Sequence, residues 1–265
     1  MTLTSTRELA GGRVFLTISA FLFIASAAGT ICWCSSMSGG MVMPGGWTMS
    51  MTWMRMPGQS WAAASTSFLA MWTAMMLAMM MPSLVPMLLN YRRCVRARNK
   101  SRLSLLTAVC GTAYFFVWAV FGGVAFTLGV TLARAEMHST VFARSVPFLT
   151  GLVWLLAGGI QLTSCKARQL AQCRLAPACA EALGDGSQNA VLHGVRLGWR
   201  CALCCSGFML ILLVVGAMNP GAMAIIAAAI TVERLASRPA ILARAAGVAI
   251  IVAGAIAIAR AVGAV

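Results

Sequence analysis

Long apolar segments alternate with short basic clusters along this chain, and this alternation constrains its fold most strongly. Apolar residues make up 60% of the sequence and charged residues only 9%, whereas a soluble globular chain has about 25% charged residues. Because so few charges cannot cover a water-facing surface, the exterior must contact membrane lipid. The sequence therefore predicts an all-α fold, a polytopic bundle of about six transmembrane helices.

The predicted spans divide the chain into three parts. Residues 1–60 form an anchor helix and an exported Met-rich loop, 61–235 a metal-binding membrane domain, and 236–265 a C-terminal transmembrane helix. A cleaved signal peptide is the alternative for the first span, since Ala25, Ser26 and Ala27 resemble a cleavage site, but the apolar run favours a retained anchor. The predicted spans are 14–33, 61–89, 103–132, 146–162, 201–232 with an interruption at Asn219 and Pro220, and 240–259.

The net charge of +15 does not indicate a nucleic-acid partner, because the basic residues form neither an amphipathic face nor a binding motif. Alternate connections carry fourteen of the 20 Lys and Arg residues on one side of the membrane and six on the other. Because positive residues concentrate on the cytoplasmic side, this predicts that both termini and the basic 92–102 connection are cytoplasmic.

A cluster of sulfur and imidazole side chains lies between His193 and Met209. Cys201, Cys205 and Met209 follow one another at intervals of four, so they share one face of a helix, and Cys201 with Cys204 forms a C-x-x-C pair. Such ligands suit Cu(I), with Zn(II) as the alternative. Small packing cysteines are the other interpretation. The sequence places this cluster at the predicted membrane edge, beside basic residues.

Methionines form two further sets. Met75 and Met79 share a face of the second span, where they either bind a soft ion or simply fill space between helices. The loop from Met37 to Met56 has no apparent core to fill, and this favours soft-metal capture.

Two other features bear on function. Asn219 interrupts an apolar run and is expected to face the bundle interior, and Glu233 is expected to pair with its neighbour Arg234. The sequence shows no catalytic triad, paired carboxylates or phosphate loop, so we predict that the chain is not an enzyme.

Three ordered blocks resemble a bacterial family of predicted metal-binding integral membrane proteins, a domain of unknown function described as copper-chaperone-like. The resemblance implies an inner-membrane protein that handles metal through Cys and Met. This chain departs from the family pattern at Leu197, where a His is usual, and at Pro220, where a Leu is usual. The matching blocks are Met71 to Met87; Gln161, Leu162, Thr163, Lys166, Cys173, Arg174 and Pro177; and Gly194, Arg196, Gly198, Cys201, Cys204, Cys205, Met209, Gly216, Met218, Asn219 and Glu233.

Together these features predict a membrane protein that binds a soft metal, most simply copper, and assists its delivery to a metal-receiving protein or its passage. Two alternatives remain open from the sequence. One is a thiol–disulfide oxidoreductase that uses Cys201 with Cys204, or Cys32 with Cys34. The other is a membrane assembly partner without a site of its own. The metal, the direction and the oligomeric state do not follow from the sequence.

Overall fold

The computed structural model confirms the all-α prediction. It describes residues 2–36, 40–43, 47–50, 53–55, 58–96, 101–174, 187–216 and 219–263. Within these ranges the helices are α1 (Thr2–Ser36), α2 (Trp61–Arg96), α3 (Leu103–His138), α4 (Thr140–Leu162), α5 (Ser164–Arg174), α6 (Ser187–Val215), α7 (Pro220–Leu235) and α8 (Pro239–Gly263), and a short hairpin joins β1 (Gly40–Val42) to β2 (Thr48–Ser50).

Six helices are long and apolar enough to cross a membrane, as expected of a multi-pass membrane protein. They are Gly12–Ser36 within α1, and the whole of α2, α3, α4, α6 and α8. Helix α5 is short and polar and follows α4 after a single bend residue, Thr163. The predicted number of long spans is therefore confirmed.

The boundaries of the predicted fifth span are wrong. In the structure this region begins at Ser187, so Cys201 lies midway along α6 and not at a helix end. Helix α6 stops at Val215, and Gly216 has a φ of 111°, a backbone conformation that favours glycine. Asn219 is exposed and caps α7 by accepting a hydrogen bond from the Ala222 amide at 3.0 Å, so it does not face the bundle interior. Pro220 occupies the first position of α7.

Helix α7 folds back along α6, which changes the predicted topology. Arg234, near the end of α7, contacts Cys201 and Cys205 in the middle of α6. Helices α4 and α8 are antiparallel as well, because Gly151 faces Gly254 while Gly158 faces Gly247. Consequently α8 ends at the end of the bundle opposite to the one where α1 begins. The prediction that both termini lie on the same side is contradicted.

We call the end where α2 stops and α3 starts the basic end. Helix α1 begins there as well, since the Arg92 guanidinium lies 4.7 Å from the ring centre of Phe15. By their positions along the chain, fourteen of the 18 Lys and Arg residues in the described ranges lie towards the basic end. The other four, at the opposite end, are Arg55, Arg134, Arg144 and Arg260.

Glycines permit close contact in two helix pairs. A Cβ at Gly158 would lie 2.8 Å from the Gly247 carbonyl oxygen, so α4 and α8 meet backbone to backbone. Gly194 and Gly198 of α6 contact the backbone of α3 at Cys110 and Tyr114, which makes these two helices parallel neighbours. Such small-residue contacts are typical of membrane helix packing. They fix the position of α6 along the axis of α3, and with it the position of the α6 cysteines.

The loop between α1 and α2, which the sequence predicts to be exported, buries part of its methionine set. Met43 and Met49 are buried with Ala133 and Ala143, next to Trp47, whose indole donates a hydrogen bond to the Ala143 carbonyl at 2.9 Å. The expectation that methionines there have no core to fill is therefore wrong for these two residues. Met41 is exposed. Met37, Met51 and Met56, which were part of the same prediction, lie outside the described residues.

Candidate metal centre

Two thiols on α6 meet one guanidinium inside the bundle. Cys201 and Cys205 are one helical turn apart, and each is 1% exposed. The Arg234 Nη2 atom lies 3.0 Å from the Cys201 sulfur and 3.2 Å from the Cys205 sulfur. The prediction that these two cysteines share a face is confirmed, and the residue they face is a cation from α7.

A thioether and a phenol complete the surroundings of Cys201. The Met80 sulfur, from α2, lies 3.9 Å from the Cys201 sulfur, and the Tyr114 hydroxyl, from α3, lies 2.9 Å from it. Met80 and Tyr114 are both fully buried. We call Cys201, Cys205 and Met80 the inner sulfur set. It joins α2 to α6, and Tyr114 and Arg234 attach α3 and α7 to it.

Arg234 is buried without a carboxylate partner among the described residues. Its Nη1 donates to the Ser83 hydroxyl at 3.2 Å, and its Nε has no hydrogen-bond partner. A buried positive charge is costly unless an anion or a strong acceptor faces it. Here the groups that face it are the two sulfur atoms, so the site favours negative charge on sulfur.

Glu233 forms a separate polar group next to the sulfur site. Its carboxylate pairs with the Lys166 ammonium at 2.9 Å and accepts a hydrogen bond from Gln161 at 3.0 Å. Lys166 also donates to the Cys204 carbonyl at 2.7 Å. The predicted pairing of Glu233 with Arg234 is therefore wrong: adjacent residues on a helix point about 100° apart, and these two serve different partners.

The C-x-x-C pair is divided between two environments. Cys201 belongs to the main core, whereas Cys204 packs with Leu170, Cys173 and Ala243 beneath α5. The Cys204 thiol interacts with the thiols of both Cys173 and Cys205. Its contact with Cys173, together with burial, raises the pKa of the Cys173 thiol. The Cys173 thiol also donates a hydrogen bond to the Arg200 carbonyl oxygen at 3.3 Å.

The other predicted ligands are buried at other positions along their helices. His193 is stacked on Tyr91 with ring centres 5.0 Å apart, and it precedes Cys201 by eight residues, roughly 12 Å along the helix axis. Met209 lies one turn beyond Cys205 in the main core, and Met75 and Met79 are buried there too. Of the span-two methionines, the one in contact with Cys201 is Met80.

The donors suit a soft monovalent ion better than zinc. Within the described part of the chain, no group of three or more His, Cys, Asp and Glu residues could hold a metal, whereas structural zinc sites use four such ligands. Two thiolates and a thioether instead match the preference of Cu(I) for soft sulfur. The thiols interact in succession, Cys173 with Cys204, Cys204 with Cys205, and Cys205 with Cys201. We call this series, continued by Met80, the sulfur row.

The sequence pattern of one protein family, described as PpoB2, copper chaperone, matches residues 69–257. The chain belongs to this family. No curated protein and no solved structure matches the chain. The PpoB2 match includes the sulfur row, Tyr114 and Arg234, and it extends into α8, beyond the end of the resemblance at Glu233.

The sequence prediction did not include three residues of this candidate site: Met80, Tyr114 and Arg234. Nothing in a single sequence ranks Met80 above Met75 and Met79, since all three lie in the same methionine-rich segment. Arg234 did carry a signal. It follows the apolar part of α7, and an ionisable residue inside a membrane segment usually faces a functional interior.

Proposed function

We propose that this chain is a bacterial inner-membrane protein that binds Cu(I) at Cys201 and Cys205 and passes it to a metal-receiving protein. It acts in this proposal as a carrier and not as an enzyme. The observation that carries the proposal is the pair of buried thiols one turn apart, which share a single guanidinium. Membership of a copper chaperone family supports copper as the ion.

Charge balance supports a dithiolate copper site. Two thiolates and one Cu(I) carry a net charge of −1, and a buried charge of this kind needs a compensating partner. Arg234 supplies a positive charge at 3.0 and 3.2 Å from the two sulfurs. Met80 offers a neutral third donor, which coordinates without changing the charge.

We further propose that the basic end faces the cytoplasm. The topology with a separate α7 places fourteen of the 18 described Lys and Arg residues towards that end, a stronger bias than the twelve of these 18 expected there from the sequence. The N-terminus is then cytoplasmic. A metal-receiving protein that approaches this end meets a positively charged surface, so an acidic surface on it would favour association.

The test is copper loading of the reduced, detergent-purified protein. We expect the wild type to retain about one Cu(I) per chain against a weak competing chelator, because soft sulfur holds soft ions. The double variant Cys201→Ser/Cys205→Ser should lose most of this copper. Cys165→Ser is the matched control, since Cys165 is an exposed cysteine on α5 and should load like the wild type. Copper is measured by mass spectrometry, and copper–sulfur bonding by X-ray absorption.

Equal copper in the wild type and in the double serine variant would refute the proposed site. Retention of zinc in place of copper would refute the choice of metal. A disulfide between Cys201 and Cys204, or between Cys32 and Cys34, isolated from the native membrane would favour the oxidoreductase instead. Cys201 and Cys204 form no disulfide in the structure.

A further inference from the structure

A second pair of thiols lies beneath α5. Cys173 and Cys204 pack together with Leu170 and Ala243, and their thiols interact. Both are buried, at 4% and 3% exposed. The C-x-x-C spacing pairs Cys204 with Cys201, but in the structure Cys204 packs against Cys173, which comes from a different helix. Cys173 is not part of the site proposed above.

The two pairs are adjacent, because Cys204 and Cys205 are consecutive residues whose thiols interact. One pair faces α2, α3 and α7 in the bundle interior, and the other faces α5 and α8. Helix α5 follows α4 at the basic end, and its outer surface carries the exposed Cys165 and Arg168. The second pair therefore lies between the inner sulfur set and the exposed surface of α5.

Local polar contacts hold this second pair in place. The Lys166 ammonium bonds the Cys204 carbonyl at 2.7 Å and is itself held by Glu233 at 2.9 Å. Cys173 is tied to α6 through the Arg200 carbonyl. Helices α5, α6 and α7 are thus joined at the level of Cys204, and the side chains responsible belong to no catalytic set. Together these contacts restrict the position of the Cys204 thiol.

From this geometry we infer that Cys173 and Cys204 form an exit subsite, to which Cu(I) moves from Cys201 and Cys205 before it leaves at the basic end. The inference rests on the proposed function, because it assumes that the inner sulfur set binds copper. The probe ligand is Cu(I) itself, and the exit subsite is a transient station on the way to the receiving protein.

The transfer is a ligand exchange without oxidation. Copper–sulfur bonds to Cys201 and Cys205 break, and bonds to Cys204 and Cys173 form. The protons that leave Cys204 and Cys173 pass to the sulfurs of Cys205 and Cys201, and copper stays Cu(I) throughout. Because neighbouring sulfurs in the row interact, a new bond can form before the old one breaks, so the ion is never without a ligand.

The experiment measures release of copper from the loaded full-length protein in lipid nanodiscs. Bathocuproine disulfonate, a water-soluble Cu(I) chelator, is added and its coloured complex is followed in time. We expect Cys173→Ser to load as much Cu(I) as the wild type but to release it about tenfold more slowly, because the route loses one ligand. Cys204→Ser should behave in the same way. Cys165→Ser, on the outer surface of α5, should release at the wild-type rate.

The outcomes separate this inference from the proposed function. If Cys173→Ser and Cys204→Ser load normally and release at the wild-type rate, the exit subsite is refuted and the inner site stands. If the wild type does not load at all, the proposed function fails. Thermal unfolding of each variant identifies a loss of structure. If slow release occurs only in a variant that is also destabilised, and the other variant releases normally, the effect is structural and the subsite is refuted.

Discussion

The residue with the greatest influence on the proposed copper site is Arg234. It contacts both thiols and Ser83, so it connects α7 to α6 and α2 through a single side chain. The sequence predicted that Cys201 and Cys205 share a face, because helical spacing is a local property. It could not show that Arg234, Met80 and Tyr114 meet these cysteines, because the three residues come from other helices and their positions depend on how those helices pack.

Replacement of Arg234 by Gln tests its electrostatic role. We expect Cu(I) affinity to fall by at least about tenfold, or ~1.4 kcal/mol, because the buried copper–dithiolate loses its counter-charge. Arg234→Lys should keep part of the affinity, since it retains the charge without the planar guanidinium. Competition with a Cu(I) chelator gives the values. Arg238→Gln, a nearby exposed arginine, should not change affinity; an equal fall in both variants would contradict a local role for Arg234.

At the scale of helices, the sequence predicted the number of long apolar segments correctly, but it joined α6 and α7 into one span. Composition sets which segments enter lipid, so the six long helices agree with expectation. The sequence prediction placed the break after α6 as an interruption inside one span, although Asn219 followed by Pro220 is a typical helix start, with a capping side chain and then a residue that needs no amide partner. It also began this span at Cys201, whereas α6 begins at Ser187, so Cys201 lies in the middle of α6.

The α4–α8 pair offers a test with adjacent control residues. Gly158→Ala should destabilise the protein by about 1–3 kcal/mol, the range for overpacking, because its Cβ would meet the Gly247 carbonyl at 2.8 Å and Ile251 at 2.7 Å. Gly159→Ala should have no such cost, since nothing lies within 4 Å of its Cβ. Thermal unfolding in detergent compares the two variants. Equal unfolding temperatures would show that the two helices do not meet as closely as described.

At the scale of the whole molecule, the fold places most of its positive charge at one end and its two termini at opposite ends. The sequence predicted the charge bias, because the basic clusters are visible along the chain. It did not predict the end of the bundle at which the C-terminal helix α8 stops. The additional reversal of chain direction at α7 changes that end.

Epitope accessibility in intact spheroplasts tests this topology. An epitope added after residue 265 should be accessible from outside, whereas one inserted beside Arg238, between α7 and α8, should be detected only after permeabilisation. An N-terminal epitope is the control and should stay protected, as the positive charges at that end require. Protection of the C-terminal epitope would restore the topology with both termini inside.

The sulfur row is dry along its length: Met80 and Cys201 are 0% and 1% exposed, and Cys173 at the other end is 4% exposed. An ion that enters it must first give up its hydration shell. Mg²⁺ dehydrates reluctantly and prefers oxygen, so thioether and thiol sulfur would not compensate for the lost water. A soft monovalent ion recovers that cost in bonds to sulfur. If the chain carries Cu(I) as proposed, the burial of these sulfurs favours ions that lose water readily and bind sulfur.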